Sequence, residues 1–162
     1  MVCISALLAK DIANISIFNV FLQIKSSLCM EAIEIVKTYY THFNNGNWEG
    51  MQSLLDENVR HEPNQGEPRT GLDLFRKFQE HMERCYEETL TDMVFFSEPA
   101  GRRVAVEFVV NGIYKATDDG LPEAKGQKYV LPAAAFLEVN NGKITRITTY
   151  YNLPLWESLV QA

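Results

Sequence analysis

The sequence predicts an α+β fold: helices packed on one side of a curved, mainly antiparallel sheet that encloses a concavity. Three observations predict it. Apolar residues recur at helical spacing through most of the first half of the chain. After about residue 90 the period changes to two. The helices come first and the strands follow as a run, an order that segregates helices to one side of a sheet.

Each element has its own signal. From Met30 to about Asn45, Ile33, Val36, Tyr39, Tyr40 and Phe43 mark one helix face, and Asn45-Gly46 is a stop signal. A short helix fits Trp48–Leu55, with Asn47 as its N-cap. Val59–Glu62 reads as a short strand, followed by a box rich in turn residues that ends at Gly71. Over Leu72–Tyr86, Leu72, Phe75, Phe78 and Met82 make a second amphipathic helix. Strands follow at Leu90–Ser97 and at Arg103–Tyr114, where Val104, Val106, Phe108 and Val110 alternate with Ala105, Glu107, Val109 and Asn111. Beyond the turn-rich residues 116–126, the strands Lys128–Val139 and Lys143–Asn152 are joined by Asn140-Asn141-Gly142, a hairpin signal. Leu155–Gln161 adds a last helical turn.

Composition narrows the function classes. At 162 residues the chain holds one domain with a sizeable core. Its formal net charge of −6, with no Lys/Arg stripe, argues against a nucleic-acid or anionic-membrane surface. Cys3, Cys29 and Cys85 form no CxxC pair and no disulfide framework, which points to a reducing, cytoplasmic setting. His42, His61 and His81 lack metal-ligand spacing, and no nucleotide motif appears, so no metal and no cofactor are expected.

Residues 1–29 differ from the rest. They are apolar but broken by Lys10 and Asp11, too short a run for a membrane span and without the basic start of a secretory signal. Met30 opens a clean amphipathic pattern. The expected organisation is an atypical extension over 1–29 (an extra N-terminal helix, a weak membrane-surface segment or, the favoured reading, a translated upstream stretch with the true start at Met30) and a single domain over 30–162.

The stretch Ile35–Gly71 resembles ketosteroid isomerase. Tyr39 lies in the first helix, Gly46 ends it, Gly50 follows, and then comes the box Glu62-Pro63-Asn64-Gln65-Gly66-Glu67-Pro68-Arg69-Thr70-Gly71. The later run VLPAAAFLEVNNGKI is similar to a strand of that family. The likeness covers most of residues 30–152, and the wider group is the cone-shaped fold of nuclear transport factor two and the SnoaL-like polyketide cyclases. The resemblance implies the fold, a homodimer, and an apolar pocket. It puts Glu62 at the base that moves a proton between carbons and Tyr39 at the donor to the enolate oxygen. It puts Ala134, beside Pro132 and Phe136, where the family has a second, protonated acid, and losing such a donor typically costs about 10²–10³ in rate.

The neighbours of these residues carry two readings each. Asn64 and Gln65 either bind a polar ligand group at the pocket mouth or make the turn. Tyr151, on a face with Ile147 and Thr149, either lines the cavity and replaces the missing donor or packs as a core aromatic. His61 should point to the face opposite Glu62, and Arg60 to the same face, where its charge would lower the carboxylate's pKa and weaken it as a base. Two functions compete. One is an isomerase-type enzyme, or a related hydrolase, dehydratase or cyclase, acting on a small apolar carbonyl compound. The other is a ligand-binding or dimerisation module of the same fold with no turnover.

Overall fold

The structure is a computed structural model that describes residues 31–161; the expectation for residues 1–29 lies outside the described residues. Helix α1 runs over residues 31–44 and buries Val36, Tyr39 and Tyr40 of the predicted stripe together with Ala32, while Ile33 and Phe43 of that stripe are half-buried against the core. Helix α2 (Trp48–Ser53) is capped as expected: the Asn47 side chain accepts from the Gly50 N–H at 3.0 Å. Strand β1 (Leu55–Glu62) begins four residues before the predicted start. A two-residue strand, β2 (Arg69–Thr70), lies inside the turn-rich box. Helix α3 (Leu72–Cys85) passes directly into β3 (Tyr86–Ser97). Strands β4 (Arg103–Tyr114), β5 (Lys128–Asn140) and β6 (Lys143–Tyr151) complete the sheet, and helix α4 (Leu153–Gln161) ends the described chain.

The six strands lie in the order β2-β1-β6-β5-β4-β3 in one curved sheet that does not close, with β2 and β3 as its edges. All pairings are antiparallel except β1 with β6. The β5–β6 hairpin pairs Asn140 with Lys143, leaving Asn141-Gly142 as a two-residue loop in which both residues have positive φ (49° and 76°). That is the turn whose twist matches the strands it joins.

The helices cover one face, here the inner face, and its side chains build the core. On β4 the inner residues Val104, Val106, Phe108 and Val110 are all buried, matching the alternation read from the sequence. Leu131, Ala135 and Leu137 of β5 and Ile147 of β6 continue the same rows. The opposite, outer face carries no helix and leaves Val94, Phe96, Val130, Phe136 and Tyr150 exposed.

Candidate functional site

Strand alternation decides where each candidate points. On β1, Val59 and His61 are buried, so Arg60 and Glu62 project to the outer face. There the Glu62 carboxylate is fully engaged. Thr148 Oγ1 donates to its Oε2 at 2.5 Å, Arg60 Nε to its Oε1 at 2.6 Å, and Arg146 lies 3.4 Å from Oε2. Arg146 also pairs with Glu138 at 3.1 Å, and Glu138 with Arg103 at 2.8 Å, so five charged groups chain across this face. The Thr148 bond first, then the Arg60 bond and the two guanidinium charges, hold the Glu62 carboxyl below its ordinary range. Ionised and with its lone pairs committed, Glu62 is a weak base.

Tyr39 is on the other side of the sheet. It is buried in the core, edge-on to Tyr40 with ring centroids 5.1 Å apart, and burial pushes its phenol well up. The structure therefore does not bring Glu62 and Tyr39 together. The reason is that β1 turns His61 inward to pack on α3, which leaves Glu62, one residue on, facing out.

Two grooves are walled mainly by outer-face residues, the first also reaching Phe108, Ala133 and Tyr151 of the inner rows. One, of about 670 Å³, is lined by Asn64, Ala134 and Tyr151, with Asp92, Glu107 and Tyr150 among its other walls. The other, of about 840 Å³, is lined by Phe136, Arg146, Thr148 and Tyr150. Asn64, Ala134 and Tyr151 thus meet in one groove and Phe136 borders the next, with Tyr150 shared between them. Gln65 is exposed in the loop and lines neither. Ala134, expected at an acid's place in an enclosed pocket, stands on the outer face between Glu107 and Tyr150.

His61 faces inward, opposite to Glu62 as the strand parity requires. Its ring lies 4.4 Å from that of Phe78 and 5.3 Å from that of Phe75, and Arg69 reaches its Nδ1 at 3.4 Å. Burial, then the Arg69 charge, lowers its pKa to about 4, so the imidazole is neutral at physiological pH.

One acid of the inner face was not among the residues singled out from the sequence. Tyr86, Glu88 and Leu90 alternate inward on β3, opposite Tyr114, Gly112 and Val110. Glu88 accepts a hydrogen bond from the Tyr129 phenol at 2.5 Å. Burial pushes its carboxyl above the ordinary range, against that bond, which lowers it. Tyr129 can lie there because its neighbour across the ladder is Gly112: a Cβ at that position would stand 2.1 Å from the tyrosine's Cζ. The signal in the sequence was the spacing Tyr86-x-Glu88-x-Leu90, hidden because the strand was expected to begin only at Leu90.

His81, Cys85 and Asp118 bring possible ligand atoms within 4.8 Å of one another, a grouping the sequence spacing did not suggest. Both imidazole nitrogens are engaged: Nδ1 faces an Arg84 N–H at 2.9 Å, and Nε2 is 2.9 Å from Asp118 Oδ1. A guanidinium can only donate, so Nδ1 accepts and Nε2 carries the proton given to Asp118. In this arrangement His81 has no lone pair for a metal. The cluster ties the end of α3 to the segment after β4, with Tyr86 donating to Asp118 at 2.9 Å.

Residues 36–147 match the model of the SnoaL-like domain. Nothing among curated proteins matches. Three solved structures of candidate polyketide cyclases are similar to this chain. That from Xanthomonas campestris is 44% identical, covering 82% of this chain and 98% of its own, with a TM-score of 0.79. That from a Silicibacter species is 47% identical over 81% and 96%, with a TM-score of 0.79. That from Pseudomonas putida is 49% identical over 80% and 97%, with a TM-score of 0.78. By the family model and by these relatives, the chain belongs to the SnoaL-like family, with the cone fold of nuclear transport factor two.

Proposed function

We propose that the protein is a cyclase-type enzyme that closes a ring within a small, apolar compound bearing more than one carbonyl. The observation that carries this reading is the 44–49% identity to three candidate polyketide cyclases that the chain covers almost end to end. The reaction is an internal aldol addition. A proton leaves the carbon between two carbonyls, that carbon bonds to a third carbonyl carbon of the same molecule, and the oxygen of the attacked carbonyl takes up a proton. No atom is lost and no co-reactant is consumed.

The isomerase reading shares the first step and would have Glu62 and Tyr39 act on one enolate. The opposite faces these residues occupy make the cyclase reading the better supported of the two. We further propose a homodimer that buries the outer faces of two sheets, because that face alone leaves Phe96 (55%) and Tyr150 (53%) so exposed.

The test is incubation of the full chain with aromatic poly-β-keto esters, followed by chromatography with mass detection. A product of unchanged mass and altered retention, formed only by folded protein, is expected. Saturable binding with no such product would favour the binding-module reading.

A further inference from the structure

The inner end of the sheet beside α4 holds a carboxyl in surroundings unlike any other acid described here. Tyr114 and Tyr86 stack at 5.3 Å, and Trp156 of α4 stands edge-on to both and to Tyr129, at 5.1, 6.0 and 5.9 Å. Glu88 lies beside this aromatic cluster, bonded to its Tyr129. Tyr129 bonds one of its oxygens, and among the described residues no protein group bonds the other. The residue as a whole is half-buried. The titratable groups that feel its charge are phenols, Tyr129 on β5 and Tyr151 on β6; Tyr86 on β3, Asp118 after β4 with its partner His81 of α3, and Glu157 on α4 stand around those tyrosines. No Lys, Arg or His pairs with it among the described residues.

We infer that Glu88 is the proton-donating group of an apolar ligand site at the α4 end of the sheet, built to take the carbonyl oxygen of a flat, uncharged ketone. The inference rests on the reading above that the substrate is an apolar carbonyl compound. A carboxylic acid kept neutral offers an O–H to a carbonyl oxygen, and apolar walls are what keep it neutral. Burial pushes Glu88 in that direction, and no cation is at hand to reverse it.

As the enol carbon of the substrate bonds to the attacked carbonyl carbon, the Glu88 O–H bond breaks and its proton goes to that carbonyl's oxygen. The enol O–H then gives its proton to the Glu88 carboxylate, so the acid is restored and the product is neutral. Tyr129 is a positioning residue: its hydrogen bond to Oε1 supports the carboxylate during the instant it is charged.

Trp156 reports on the site directly. The chain has two tryptophans, so Trp48→Phe in the full chain leaves Trp156 as the only indole emitter. The probe is fluorenone, a flat ketone with no ionisable group, with fluorene, which lacks the carbonyl, as its control. Fluorenone should quench Trp156 saturably and bind about tenfold more tightly than fluorene, the size of one hydrogen bond in an apolar site. That preference should vanish in Glu88→Leu. In the unsubstituted site it should decline as pH rises through the titration of Glu88, whereas in Glu88→Gln, which keeps an N–H donor that does not titrate, it should stay flat. Equal affinity for the two probes, or a preference untouched by Glu88→Leu, overturns the inference. Binding seen by calorimetry without quenching of Trp156 also overturns it, and would leave the cyclase reading standing with its site in the outer grooves. Binding as described without turnover of any poly-β-keto ester would remove the cyclase reading and leave this site.

Discussion

Glu62 and Glu88 hang from one sheet and point to opposite faces of it. Glu62 meets two guanidinium groups and a hydroxyl, and is held ionised. Glu88 meets a phenol and aromatic walls, and is held toward its neutral form. The same residue type thus becomes a fixed charge on one side and a proton donor on the other. What differs is what the neighbouring strand brings: Thr148 across the ladder for Glu62, with Arg146 two residues before it, and a glycine for Glu88. The residue that resembles a known base is therefore the one whose lone pairs are already taken, and the acid with chemistry to spare has no counterpart in the motif.

Activity should break this comparison first if it is wrong. Glu88→Gln should cost about 10²–10⁴-fold in kcat/KM for the best cyclisation substrate, the usual size of a lost general acid or base. Glu62→Gln should cost about tenfold or less. A larger loss in Glu62→Gln than in Glu88→Gln would reverse the assignment.

The next effect is in pH-dependent stability, and it comes from His61, the residue β1 turns inward. Its pKa falls from 6.5 to about 4 on folding, so between those values the unfolded chain binds the extra proton. Stability should therefore be full above about 6.5 and fall as pH drops toward 4, by about 3 kcal/mol at most. Urea unfolding at a series of pH values measures it, and His61→Phe should flatten that part of the curve.

Association sharpens the contrast between the faces. Phe136→Glu, on the outer face, should shift the light-scattering mass from two chains to one, a loss of about 2 kcal/mol or more if Phe136 sits at the centre of the contact. Thermal stability of the folded chain should change little, because the ring is 46% exposed before association.

The smallest effect sets the two acids against each other. Glu62, with its pKa lowered, adds stability above the ordinary range near 4.5 that is lost as pH falls below it. Glu88, with its pKa raised, adds stability at low pH that is lost as pH climbs from about 4.5 through its folded value. Glu62→Gln should remove about 1 kcal/mol near neutrality and steady the acid side of the curve. Glu88→Gln should steady the other side. Curves that respond in the same sense to both substitutions would end the comparison.

How much of this was legible in the sequence follows from how local each cause is. The stripe Val36, Tyr39, Tyr40 on α1, the Asn47 cap, the Asn141-Gly142 turn and the alternation of β4 are all set by residues a few positions apart. Strand parity likewise placed Arg60 with Glu62 and His61 against them. Which of those two faces is the interior was not legible, because it is set by Phe75 and Phe78 of α3 closing on His61. Glu88 was missed for a related reason. Helix α3 becomes β3 with no loop between them, so no turn residue marks the change and the helical stripe of Leu72–Tyr86 runs into the strand. The partners that define its chemistry, Tyr129 and Trp156, arrive 41 and 68 positions later.

Gly112 gives the inner site an unusual vulnerability. Scanning a protein by trimming side chains to alanine measures what each side chain contributes, and at Gly112 there is nothing to trim. Alanine is instead the smallest possible enlargement, and its methyl group would fall within 2.5 Å of the Tyr129 phenol oxygen. The tyrosine would have to lift away, and with it the tie to Glu88. A survey that ranks positions by the size of the side chain removed would score this one as empty, while the space it keeps open is what seats the phenol. In a directed-evolution library, position 112 is therefore where a single added carbon could retune the acid without touching any group that bears a proton.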